Sequence, residues 1–190
     1  PSWQFCFCFP RCRWFPAASM SPMTFTARAA APNQIAEMWE KVSASPVKRG
    51  LFSAFYAFKA PYFRTVLPRI QELVPGSHCT VRIPKWWGVN NHIGTFHAIA
   101  ALNGAEAAMG LLAEATVPPT HRWIPRGMHA DYPAKSTGGL TVTAAAQWPD
   151  FSTITRDSGG QLVTVACTLV DDAGTTAVTA DIDIWISKRS

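Results

Sequence analysis

A chain of 190 residues, 48 % of them hydrophobic and carrying a net charge of +5, is long enough to bury one core without metals or disulfides. No unbroken apolar run approaches the roughly 18 residues of a membrane span, and the basic residues are scattered, not massed as nucleic-acid binding requires. Five cysteines, with Cys6, Cys8 and Cys12 crowded near the start and Cys79 and Cys167 far apart, make a poor disulfide framework and fit a reducing cytoplasm.

In chain order, residues 1–22 read as a disordered or non-native tail. They lack the layout of a signal peptide, and Met20 and Met23 are candidate starts. The tail cysteines lack a fourth ligand at a zinc spacing, so no metal is expected. Residues 23–74 read as a helical extension. Asn33 to Ala44 is a short helix, with Asn33 as N-cap and Ile35, Met38, Trp39 and Val42 at helical spacing. Val47 to Lys59 is a second helix, and after Pro61 and an aromatic turn a further short helix reaches Val74 before the Pro75-Gly76 break. The aromatic segment Phe52, Phe55, Tyr56, Phe58, Tyr62, Phe63 is flanked by Lys48, Arg49, Lys59 and Arg64. It has a reading as a helix on a membrane surface, and a plainer one as a helix packed over the sheet or over the mouth of an acyl channel.

Residues 75–190 read as one α+β domain. Cys79 to Trp87 is a strand, and Ile93 to Glu114 is a long helix closed by Pro118-Pro119. Four further strands follow: Trp123 to Tyr132, Leu140 to Gln147, Leu162 to Val170 and Thr176 to Ser187. Their connections, Gly138-Gly139, Asp157-Ser158-Gly159-Gly160 and Asp171-Asp172-Ala173-Gly174, are turn-like. The last strand alternates Ala180, Ile182, Ile184 and Ile186 against Thr179, Asp181, Asp183 and Trp185, so one face is apolar and needs a cover. The long helix supplies it, because from Ile99 to Leu112 it has no strongly polar face. The single carboxylate in that stretch is Glu106.

A strand, a buried helix and four antiparallel strands around it make the hotdog layout. The entrance Asn91-x-x-Gly94-x-x-His97, with Ala105-Glu106 downstream, resembles the motif of phenylacetate-pathway-type acyl-CoA thioesterases, Asn-x-x-Gly-x-x-His-Gly-Gly followed by Leu-Ala-Asp. The run Asn-His-Ile-Gly-Thr-x-His-Ala and the segment Arg122-Trp123-Ile124-Pro125-Arg126-Gly127-Met128 resemble more closely a thioesterase-like branch of the hotdog superfamily. The resemblance covers about Val74 to Ser190 and departs from the thioesterase motif at Ala98-Ile99, where Gly-Gly stands in the family. It implies a long central helix in a curved sheet of about five or six strands. It also implies a homodimer or dimer of dimers with sites at the subunit interface. The substrate would be an acyl-CoA or related thioester, with coenzyme A part of that substrate and no other cofactor.

Thioester hydrolysis needs a base or nucleophile, a donor for the developing oxyanion and a group that orients water or the carbonyl. Glu106 is the candidate base or nucleophile, since a carboxylate among apolar neighbours is more basic than one in water. The Ala98 N–H at the helix start is the candidate oxyanion donor, Asn91 the orienter, and Gly94 and His97 shape the entrance. Nine residues at about 100° each put His97 and Glu106 on opposite sides of one helix, so a two-fold dimer is expected to bring Glu106 of one copy to the entrance of the other. Phe96, Trp86, Trp87 and Met128 are candidates to line an acyl channel, and Arg122, Arg126 and Lys135 to meet the phosphates of coenzyme A. Against these stand a Glu106 paired with Arg126 or His129, an Asn91 that only caps or turns, and a non-hydrolytic acyl-CoA binding module.

Overall fold

Capping and patterning build the N-terminal layer of the computed structural model, which describes residues 33–190; the tail reading of residues 1–22 lies outside them. Asn33 caps helix α1 (Gln34–Val42) by accepting the Ile35 N–H at 3.0 Å. Helix α2 (Pro46–Lys59) starts on a proline in its first turn, where no N–H is needed. A 3₁₀ turn, Pro61–Val66, follows. The helix expected to continue to Val74 is instead strand β1 (Arg69–Val74). Its Ile70 and Leu73 are buried, with a register shift between Ile70 and Glu72, and this bulge is what disguises the strand period. The sheet therefore begins at Arg69, ahead of the boundary expected at 75.

Strand β2 (His78–Ile83) pairs with β1, and an entrance loop leads into helix α3 (Ala98–Thr116). Then come β3 (His121–Asp131), β4 (Leu140–Ala146), β5 (Gln161–Asp171) and β6 (Thr176–Lys188). All pairings are antiparallel, in the order β1-β2-β4-β5-β6-β3. The helix starts at Ala98 and not at Ile93, because residues 91–97 are held in a turn.

The sheet curls around α3, as the hotdog layout requires. Ile182, Ile184 and Ile186 of β6 point inward with Val81, Ile83, Val142 and Leu169, all buried against Ala105, Ala108, Met109 and Leu112. Small helix residues let the sheet approach closely. A Cβ on Gly104 would lie 2.8 Å from Ile83 Cγ1. Helices α1 and α2 cover the remaining side of α3, tied by the Tyr56 hydroxyl, which donates to the Ala107 carbonyl at 2.9 Å. Burial, then the nearby Cys79, Glu114 and Glu106, raises the Tyr56 phenol well above its usual range, so it stays a donor.

Candidate active site

The entrance motif is a closed hydrogen-bonded turn. Asn91 Oδ1 accepts the N–H groups of Ile93 (3.1 Å) and Thr95 (3.0 Å), and its Nδ2 donates to Thr95 Oγ1 at 2.7 Å. Gly94 has φ +78°, the left-handed conformation that favours glycine. Phe96 N–H donates to Ser136 O and His97 N–H to Val89 O, both at 2.8 Å, fastening the turn to the body. Asn91 is thus first a turn-forming residue.

His97 is the N-cap of α3: its Nδ1 accepts the Ile99 N–H at 3.1 Å. That bond requires the ring proton on Nε2. The cap satisfies Ile99 and leaves the Ala98 N–H without an acceptor among the described residues. Ala98 and Ile99 are both exposed. The end of the helix that carries partial positive charge is therefore open to an anion.

Glu106 lies eight residues further on, about 12 Å along the helix axis, and opens into a cavity of about 570 Å³ between α3 and the N-terminal helices. Ile35, Met38, Phe52, Phe55, Tyr56 and Phe63 form most of its apolar wall, with Gly110 and Trp123 beside them and Lys59 also on the lining. Two carboxylates reach this cavity. Glu114 accepts the Trp123 indole N–H at 3.1 Å, whereas half-buried Glu106 has neither ion pair nor hydrogen bond among the described residues. The alternative partners are engaged elsewhere: Arg126 lies over the Trp185 ring at 5.5 Å, and His129 faces Asp131 at 3.5 Å. One turn before Glu106, buried Asn103 donates to Thr65 Oγ1 at 2.9 Å and leaves its Oδ1 unpartnered.

The structure separates the expected acyl-channel residues from this cavity. Phe96 is buried in the core, Trp86 packs against that core, Trp87 is 84 % exposed, and Met128 is exposed on β3; none lines the cavity beside Glu106. The wall comes instead from α1 and from the aromatic segment of α2 and the turn after it, whose plainer reading in sequence is a helix packed over the sheet or over the mouth of an acyl channel. Arg122 and Arg126 do come together. With Arg156 and Lys188 they surround Trp185 in a depression of about 710 Å³ on the outer face of the sheet, lined by no Asp or Glu side chain among the described residues. Lys135 is exposed and lines neither cavity. Trp123 lines both. The described residues contain no group of three or more His, Cys, Asp or Glu placed to hold a metal ion.

A long central helix in a six-stranded antiparallel wrap, with helices α1 and α2 over its remaining side, defines a hotdog-fold protein. The chain belongs to the DUF4442 family, described as a domain of unknown function, whose model matches residues 48–186. A structural-genomics crystal structure, APC5556, is 34 % identical over 82 % of this chain and 99 % of its own, with a TM-score of 0.67. The Pseudomonas aeruginosa protein PA5026, described as of unknown function and a probable thioesterase, is 20 % identical over 70 % of this chain and 91 % of its own (TM-score 0.63). The Haemophilus influenzae thioesterase HI1161 shares the fold at 8 % identity, over 67 % of this chain and 82 % of its own (TM-score 0.56). No curated protein matches the chain.

Proposed function

We propose that this protein hydrolyses acyl thioesters. The observation that carries the reading is Glu106, a half-buried carboxylate with no partner among the described residues, facing an aromatic cavity sized for an acyl group. The acyl chain lies against Phe52, Phe55, Tyr56 and Phe63. Glu106 acts as general base, taking a proton from the attacking water, or as nucleophile on the carbonyl carbon. The oxyanion that forms is held by the Ala98 N–H at a helix N-terminus. When the C–S bond breaks on the general-base route, the proton that Glu106 took from water goes to the thiolate, leaving a carboxylic acid and a free thiol. On the nucleophilic route the thiolate leaves an acyl-Glu106 anhydride, which a water then cleaves, its proton going to the thiolate to give the same two products. Asn91, Gly94 and His97 position the entrance so that the Ala98 N–H is unpaired and the Ile99 N–H is not.

One copy cannot bring Ala98 to Glu106, given their separation along the helix, so the site is proposed to form between two copies. The edge strand β3 supports this. It pairs with β6 alone among the described strands and exposes Ile124 and Met128 along eleven residues, a template for pairing with a second copy. Coenzyme A is the proposed carrier, its phosphates meeting Arg122, Arg126, Arg156 and Lys188, with Trp123 joining the two cavities. A reducing cytoplasm is the proposed compartment, with Cys79 and Cys167 both free and buried. The names of the solved relatives PA5026 and HI1161 support thioester chemistry.

The test is thiol release from acyl-CoAs of graded length, comparing the natural chain with Glu106→Gln. Because Glu106 has no partner among the described residues to lose, unfolding should be nearly unchanged while turnover falls by about 10²–10⁴-fold. A Glu106→Gln chain that turns over normally removes Glu106 from the chemistry. Binding without turnover in either chain favours the acyl-CoA binding module.

A further inference from the structure

Helix α2 is apolar on two sides. Its inner face, Phe52, Ser53 and Ala57, is buried, yet its outer face is also apolar. Val47, Leu51 and Phe58, together with Tyr62 in the turn that follows, are between 66 and 74 % exposed, and Phe55 is 38 % exposed. At about 100° per residue, Val47, Phe58, Leu51 and Phe55 fall within an arc of about 80°. Gly50 and Ala54 beside them add no polar group. Lys48 and Lys59 lie along one flank of the stripe, and Arg64 follows in the next turn. From Pro46 to Val66 there is no Asp or Glu at all.

We infer that this face of α2 docks on an anionic lipid surface, the helix lying in the headgroup region with Val47, Leu51, Phe55 and Phe58 directed into the acyl boundary. An apolar stripe with cations on its border and no carboxylate is the pattern of an interfacial helix. Charge complementarity selects the occupant. A second copy docked on the same face would set lysine against lysine, whereas a bilayer with acidic headgroups supplies the missing negative charge. No described helix is long and apolar enough to cross a membrane, so the contact is peripheral. Phe55 and Lys59 belong both to this face and to the lining of the Glu106 cavity. If the proposed thioesterase reading holds, an acyl chain would pass from the lipid phase straight to that cavity, but docking itself does not depend on that reading.

The experiment is co-flotation of the full chain with vesicles of phosphatidylcholine alone or of phosphatidylcholine with phosphatidylglycerol, run beside light scattering in the absence of lipid. Binding is expected to the anionic vesicles only and to weaken with salt. It should fall about five-fold for each of Lys48→Gln and Arg64→Gln and vanish in the triple variant Val47→Ser, Leu51→Ser, Phe58→Ser. These side chains point outward, so that variant folds, and circular dichroism checks it. No flotation of the natural chain on anionic vesicles overturns the inference. So does a triple variant that floats as before, or one whose only change is a smaller oligomer in light scattering, which would make this face a contact between copies.

Discussion

Gly110 offers a direct measure of whether the cavity beside Glu106 is the acyl channel. A Cβ there would stand 3.3 Å from the Tyr56 hydroxyl oxygen and 3.5 Å from Trp123 Cη2, between two walls of the cavity. Gly110→Ala is therefore tolerated, and the roughly 1 kcal/mol that alanine gains over glycine within a helix offsets the tight approach. Gly110→Val adds three carbons that project into the space an acyl chain would fill. Each methylene displaced from apolar surroundings loses about 0.8 kcal/mol, so three displaced methylenes amount to about 2.4 kcal/mol, or roughly fifty-fold in kcat/KM. The loss should fall on the longest acyl chain the natural protein accepts and spare the shortest. The assay is thiol release along an acyl-CoA ladder for the natural chain, Gly110→Ala and Gly110→Val at matched thermal stability. An equal loss at every chain length, or none at any, would refute the assignment of this cavity to the acyl group.

Two further outcomes concern the scaffold. Gly104→Ala sets a Cβ 2.8 Å from Ile83 Cγ1 in the core; overpacking of about 1–3 kcal/mol outweighs the helix-propensity gain of about 1 kcal/mol, and urea denaturation should show a net loss of up to about 2 kcal/mol. Burial, reinforced by Cys167, pushes the Cys79 thiol up, and burial followed by the charge of Asp181 pushes the Cys167 thiol from 9.0 up to about 12. Between those values the unfolded chain has released the proton and the folded chain has not, so stability should fall as pH rises above 9.0, by at most about 1.4 kcal/mol per pH unit for each thiol. The Cys79→Ala/Cys167→Ala chain should show a flatter alkaline limb in its thermal midpoint, and an unchanged limb would contradict the burial argument.

Strong local signals made most of the fold legible. Asn33 before a helical period, Pro118-Pro119 after the long helix and the strict alternation of β6 each correspond to an observed cap, stop or buried face. β1 was hidden because its bulge breaks the period of two in a six-residue strand. The site divides in the same way. Glu106 stands out in sequence as a lone acid in an apolar run, and the polar turn at the helix mouth is visible in Asn91, Gly94 and His97. The cavity wall was harder to assign, because which residues face Glu106 depends on how α2 docks across α3, a contact between segments some fifty residues apart with no local pattern. Of the expected wall residues, Phe96 follows the Asn91 turn and is tied to Ser136 and buried in the core, whereas Trp87 opens a separate 3₁₀ turn, Trp87–Val89, and stands in solvent.

The helix that separates Ala98 from Glu106 also supplies a test of the two-copy site. Ala98 is the first residue of α3 and follows His97 at φ −69°, ψ 131°, an extended conformation that suits the residue before a proline. Proline is favoured at this first helical position, so Ala98→Pro removes the candidate oxyanion N–H while leaving the helix intact. The expected loss of turnover is about 10²–10³-fold. Ala98→Pro and Glu106→Gln chains would each be nearly inactive alone. In a mixed dimer, the site that joins Ala98 of the second chain to Glu106 of the first has both groups, and its counterpart has neither. With random exchange about half the dimers are mixed and each holds one intact site, so mixing equal amounts should restore about a quarter of the natural activity. No recovery, after subunit exchange has been verified with differently tagged chains, would mean that the two groups do not meet across an interface, and that the Ala98 N–H of one copy does not serve the Glu106 of another.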